Sequence, residues 1–293
     1  HNDLHTNNIM YINTDKKYVL KLINIKENTQ ERRQIWKDNY SNNLTNREYT
    51  ISKDLYHPNI IKLYYISYYN INSEKYLGLF YEYCENSLED FTSFHELDNT
   101  ETKIVGYQFE IKIACKYFLN LVSAISYLHH KNIMHRDIKC NNILICNGVI
   151  KLIDFGVATN EIISKISVGS YKYSNQRVIN GINYNKSIDL VSLGIILYYM
   201  LIPYQDRQYE QKGNTVLERL TFIKDIIKNK YNNTNLDSLL EKLFENNDEK
   251  KIEAHQIFDE PFIKEYCTSY EIEMNKDYNR LEREILKTLL QED

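Results

Sequence analysis

An α+β chain, with strands gathered early and helices late, is what three patterns in this sequence predict. First, the strand-type segments Lys17–Ile25 and Tyr76–Tyr83 lie within the first 85 residues, with one helical face between them (Glu48, Ile51 and Leu55 in 47–56). Second, Ala114, Phe118, Leu121, Val122, Ile125 and Leu128 recur at helical spacing, and 215–229 and 236–245 read as further helices. Third, the apolar runs Ile143–Ile145 and Val149–Ile153 flank Asn147-Gly148, the strongest short-range hairpin signal. A hairpin sets the residues before its first strand beside those after its second. Asp137 and Asn142 therefore come near Asp154, which puts two carboxylates and an amide at one edge of a cleft. Such oxygen ligands suit a hard cation such as Mg²⁺. The 293 residues are enough for one large domain or two lobes sharing that cleft.

Composition excludes several classes. Hydrophobic residues at 43% and charged residues at 26% make an ordinary globular balance. A net charge of −4 argues against a nucleic-acid surface or a polybasic membrane anchor. The longest apolar run singled out, Leu190–Tyr204, is too short to span a membrane, and no signal peptide opens the sequence, so the reading is intracellular. Residue 1 is histidine, which reads as the start of a fragment. The five cysteines, at 84, 115, 140, 146 and 267, show no metal-ligand spacing; Cys140 and Cys146 are expected as small core residues rather than reactive thiols.

Residues 135–142 (His-Arg-Asp-Ile-Lys-Cys-Asn-Asn), followed by Asp154-Phe155-Gly156, resemble the catalytic and metal-binding loops of eukaryotic protein kinases. The resemblance implies a two-lobed α+β fold: a small, mainly antiparallel β lobe with one key helix, and a larger, mainly α-helical lobe. The expected divisions are 1–85, 86–266 and a helical tail at 267–293. It implies ATP and Mg²⁺ as cofactors and a protein substrate with a serine or threonine acceptor. By the same resemblance Asp137 accepts the substrate hydroxyl's proton, Lys139 steadies the transferring phosphoryl group, and Asn142 and Asp154 hold the metal. Lys139, two residues after the aspartate, resembles the serine/threonine class. His135, Arg136 and Asp189 take structural positions, Asp189 holding the backbone of the catalytic loop. Arg136 would pair with a phosphorylated residue of the segment from Asp154 to Arg177, where Ser164 and Ser167 are the candidates.

The small lobe continues the resemblance. Lys21 stands in a strand like the lysine of Val-Ala-Ile-Lys, and Glu48 is its implied partner. Met10, Val19 and Leu144 would line the nucleotide, Tyr81 would be the gatekeeper, and backbone groups of Glu82 and Cys84 would bond adenine. Residues 26–44 and 93–112 read as insertions. Tyr278, Leu281, Ile285 and Leu289 form an amphipathic stripe for docking on the lobe or on a helical partner.

Four features depart from the family pattern. Asp3, His5 and Asn8 stand at the three glycine positions of the phosphate loop, where glycine permits the closest backbone approach. Val19 replaces alanine, Ser52 replaces an apolar residue, and Asn175-Gln176-Arg177 replaces Ala-Pro-Glu. Lys251 stands where the partner of that glutamate belongs. Two cations cannot pair, so a carboxylate partner for Arg177 is predicted, with Glu245 or Glu249 as candidates. Residues 1–9 also resemble the His-x-Asp-x-x-x-x-Asn loop of aminoglycoside-phosphotransferase-like kinases, but Asn24-Ile25-Lys26 stands where a metal aspartate belongs. Two functional readings follow: an active serine/threonine kinase, and a catalytically weak kinase-fold scaffold. The joint presence of Lys21, Glu48, Asp137, Lys139, Asn142 and Asp154 favours the first.

Overall fold

Alternation along the early strands builds a four-stranded antiparallel sheet. The computed structural model of the chain describes residues 7–13, 16–24, 44–93, 108–207, 215–247, 250–277 and 282. Strands β1 (Asn7–Asn13), β2 (Lys16–Asn24), β3 (Leu63–Ile71) and β4 (Glu74–Glu82) lie in the order β1-β2-β4-β3. Successive residues of a strand face opposite sides. Leu20 and Leu22 accordingly pack with Phe80 in a cluster of their own, while Leu77, Leu79 and Tyr81 of β4 join the main core. Lys21, opposite Leu79 in the register, is buried. A one-residue slip would turn it to the other face.

Helix α1 (Leu44–Ser52) buries Glu48 and Ser52, one turn apart. It starts and stops earlier than the predicted span of 47–56, ending in a turn where the Leu55 N–H donates to the Ser52 carbonyl at 3.2 Å. Pro58 then disfavours helical backbone at His57.

The second sheet has three strands, β5 (Asn86–Ser87), β6 (Ile143–Cys146) and β7 (Val149–Leu152), in that order. Asn147 and Gly148 both take left-handed backbone, with φ of 50° and 78°. That is the demand of a two-residue hairpin turn, and these residue types meet it at least cost. After Pro58 the chain first binds β7, before β3 begins. Asn59 donates from Nδ2 to the Ile150 carbonyl at 3.0 Å, and the Ile61 N–H donates to the Leu152 carbonyl at 2.9 Å. Residues 59–61 are thus spent binding β7, and the strand proper begins at Leu63.

The remaining elements form the helical lobe: α2 (Leu88–Thr92), α3 (Ile111–His130), α4 (Gln176–Ile179), α5 (Ile188–Leu201), α6 (Val216–Tyr231), α7 (Thr234–Leu243), α8 (Pro261–Tyr266) and α9 (Ser269–Lys276). Every residue of α5 is buried, so α5 is hydrophobic all round and serves as the lobe's central post. Among the described residues, the helix long and apolar enough to pass for a membrane span is α3, not one within Leu190–Tyr204. By length and composition α3 could cross a membrane, but its apolar stripe is buried in the core.

Helix α9 opens with a capping box between Thr268 and Glu271 and docks on α3. Ser123 Oγ donates to the Asn275 carbonyl at 2.7 Å, and Lys116 pairs with Glu271 at 2.6 Å. Glu282 meets Lys131 at 3.1 Å, while Tyr278, Leu281, Ile285 and Leu289 lie outside the described residues. So do 25–43 and 94–107, which make up most of the two expected insertions.

Candidate active site

The loop joining α3 to β6 is fixed from below. Asp189, in the first turn of α5, accepts the His135 N–H on Oδ2 at 3.0 Å and the Arg136 N–H on Oδ1 at 2.9 Å. His129 Nε2 lies 2.9 Å from the same Oδ2. Burial alone would raise this carboxyl, but the His129 and Arg136 contacts outweigh it and hold Asp189 below the usual range. Arg136 takes φ of 69°, a strained conformation for a non-glycine residue. Its side chain donates to the Val157 carbonyl at 2.6 Å, Ser164 Oγ at 3.1 Å and the Tyr184 hydroxyl at 3.2 Å. His135 donates from Nε2 to the Ile153 carbonyl at 3.0 Å and packs edge-on against Phe155.

At the mouth of the loop stands Asp137. Its Oδ2 accepts from Asn142 Nδ2 at 2.9 Å and pairs with Lys139 at 3.0 Å. Its Oδ1 accepts both the N–H (3.0 Å) and the hydroxyl (2.9 Å) of Ser170. The hydroxyl contact is of the kind a base needs with the proton it removes. Ser170 can reach Asp137 because Gly169, at φ of 83°, lies against the Arg136 carbonyl, where any Cβ would collide. Nothing in the local sequence pattern marks Ser170, since its partner lies 33 positions away.

Across the cleft, Lys21 joins both lobes. Its Nζ lies 2.8 Å from Glu48 Oε2 and 2.8 Å from Asp154 Oδ1, and the Tyr81 hydroxyl donates to Glu48 Oε1 at 3.0 Å. Burial works against the ammonium, but the two carboxylates outweigh it and hold Lys21 above its ordinary value. Asp154 shows the converse: burial would raise it, yet Lys21 holds it low. Glu48 is more deeply buried, and burial pushes its carboxyl up against the pull of Lys21. The Ile153 N–H donates to the Asn142 carbonyl at 2.9 Å, which brings the two ends of the hairpin together and sets Asn142 beside Asp154 in the chain path.

The family model of the protein kinase domain matches residues 1–263. The chain belongs to the protein kinase family. It is 27% identical over 230 residues to an Aurora kinase of Schizosaccharomyces pombe, covering 76% of this chain and 60% of the relative. It is 27% identical over 248 residues to the Dictyostelium discoideum protein named "Probable serine/threonine-protein kinase nek1", covering 76% and 48%. A carbon catabolite-derepressing protein kinase of Candida glabrata is 25% identical over 283 residues, covering 92% and 42%. The chain thus spans about half the length of the curated relatives it matches.

In this kinase domain the other candidate residues are placed as follows. Met10 pairs with Val19 in the register of β1 and β2, and Val19 pairs with Tyr81 of β4. Val19 and Leu144 are both half-buried at the edge of the main core. Glu82 ends β4, and its side chain meets Lys151 at 3.0 Å. Ser164 is buried against Arg136, whereas Ser167 is exposed. Asn8 lies in β1 opposite Lys21; Asp3 and His5 lie outside the described residues.

One expectation needs correction. Cys146 is not a small core residue: it is half-exposed and joined to Cys84 as a disulfide. Arg177 is half-buried, and its Nη1 donates to the Asn183 carbonyl at 3.3 Å. Of the two candidate partners, Glu245 accepts the Asn247 N–H at 2.8 Å, and Glu249 lies outside the described residues. Arg207 is buried, as are Arg136 and Arg219, and it donates to the carbonyls of Ile202, Thr92 and Tyr199 at 2.6–2.9 Å. Sequence reasoning passed over it because its acceptors are all backbone oxygens.

Proposed function

We propose that this domain is an ATP- and Mg²⁺-dependent serine/threonine protein kinase acting on protein hydroxyl groups. The observation that carries the reading is the Lys21–Glu48–Asp154 junction, in which residues 133 positions apart meet at 2.8 Å. One ammonium bridging two carboxylates, one from each lobe, aligns the cleft for a nucleotide's phosphates. Met10, Val19 and Leu144 would enclose the adenine, with backbone groups of Glu82 and Cys84 bonding its edge. Asp137 would accept the proton of the substrate hydroxyl, and Lys139, already paired with it, would turn to the transferring phosphoryl group. Catalysis would then rest on positioning and charge rather than covalent chemistry.

The donor set suits Mg²⁺. Asp154 keeps 39% of its side chain exposed to the cleft, and Asn142 spends its amide nitrogen on Asp137, which leaves an amide oxygen as donor. Mg²⁺ is bound through one or two protein oxygens together with substrate phosphates, so Asp154 and Asn142 would hold it. The ion would supply neutralisation of phosphate charge.

Ser164 and Ser167 are the proposed sites of activating phosphorylation. The exposed Ser167 is ready for modification, whereas the buried Ser164 must first leave Arg136. Division at residues 85 and 266, an intracellular setting, and action without nucleic acid or membrane belong to the same reading. Transfer of the ATP γ-phosphate to the chain itself and to a generic basic protein, with Mg²⁺, tests it. The wild-type chain is expected to transfer and Asp137→Asn is not. No transfer by either folded protein would favour the scaffold reading.

A further inference from the structure

A covalent tie crosses the connector between the lobes. Cys84 lies two residues beyond β4 and Cys146 ends β6; they are joined as a disulfide with Cα atoms 5.1 Å apart, inside the range of about 4.4–6.8 Å that such bonds occupy. The ladder between β5 and β6 already pairs Asn86 with Ile145 and Ser87 with Leu144. The bridge carries that tie back toward the small lobe. With it in place only Tyr83 lies between the end of β4 and the anchored residue; without it the free connector runs through Tyr83, Cys84 and Glu85. Cys146 also shares a face of β6 with Leu144, since residues two apart in a strand point the same way.

Exposure sets this pair apart from the other cysteines. Cys84 and Cys146 are half-buried, within reach of small thiols, while Cys115, Cys140 and Cys267 are buried and free. Cys115 and Cys267 also lie near each other, their sulfurs 3.6 Å apart, but as thiols.

We propose that Cys84 and Cys146 form a thiol–disulfide modification site that sets the stiffness of the interlobe connector and thereby the rate of nucleotide release. Closing the bond removes two electrons and two protons from the two thiols. A small disulfide of the glutathione type takes them: one cysteine thiolate attacks it and expels the first thiol, then the second cysteine attacks the mixed disulfide and expels the second. Opening the cleft bends the connector, and lobe opening commonly limits product release. The oxidised form therefore releases nucleotide slowly and the reduced form quickly.

The consequence for nucleotide rests on the kinase reading; the site itself does not. The full chain is treated with oxidised glutathione or dithiothreitol, alkylated, digested and mapped by mass. The oxidised sample is expected to yield a peptide linking Cys84 to Cys146, with the other three cysteines alkylated after unfolding. Hydrogen exchange at residues 83–86 is expected to slow on oxidation, and release of a fluorescent ADP analogue to slow about tenfold. Both effects should reverse with dithiothreitol and be absent in Cys146→Ser. Two alkylated thiols after oxidation, or a formed bond with unchanged exchange at the connector, overturns the proposal. Failure of ADP to bind either form, with mass map and exchange as expected, overturns the kinase reading and leaves the redox site standing.

Discussion

Asp189 and Asp137 stand on opposite sides of one loop, and their partners differ in kind. Asp189 is 1% exposed and accepts two backbone amides and a buried histidine, so it holds the chain itself. Asp137 keeps 12% of its side chain exposed, and three of its four contacts are with side chains at the cleft: an amide, an ammonium and a hydroxyl. Backbone amides cannot leave without unfolding the loop, whereas side chains can swing away. The lower carboxylate is therefore committed to structure, and the upper one is free to exchange a hydroxyl of the chain for that of a substrate.

The contrast breaks most sharply at Asp137. Asp137→Asn is expected to cut γ-phosphate transfer by about 10²–10⁴-fold while shifting the urea midpoint little. An equal loss of stability would erase the distinction between the two aspartates. Asp189→Ala is expected to do the reverse in kind, lowering unfolding free energy by about 3–5 kcal/mol, because His129 and two buried amides lose their acceptor. Urea titration of the variant measures it.

A pH series sharpens the same point. Asp189 titrates below its ordinary value, so its stabilisation is fully present above about pH 4 and is lost as pH falls through the folded-state value. Asp189→Asn should therefore show a shallower loss of stability on acidification than wild type; parallel acid limbs would contradict the assignment. The smallest effect is expected at Ser170→Ala, which removes one hydroxyl contact to Asp137 worth about 1 kcal/mol. Transfer should rise by up to about fivefold with the fold intact, because the substrate hydroxyl no longer has to displace one of the chain. Initial rates at saturating ATP report it.

Legibility followed the range of the forces involved. The turn at Asn147-Gly148 could be read directly, because left-handed backbone at two adjacent residues is a local demand that few residue types satisfy. The inward position of Lys21 was implied by the resemblance of its strand to the family's motif, and that of Glu48 followed from helical spacing. The Cys84–Cys146 bond spans 62 positions and could not be read, since five cysteines offer several pairings and none is marked by spacing.

The sequence by itself determined the hairpin, the periodicity of β2 and α3, and the identity of the chemical groups brought toward the cleft. Each depends on backbone preferences within a few residues. Tertiary structure alone decided that Ser170 caps Asp137, that Arg207 is buried against backbone carbonyls, and that Cys84 faces Cys146. Those contacts arise where separately formed elements meet, and their geometry is set by the packing of the whole core.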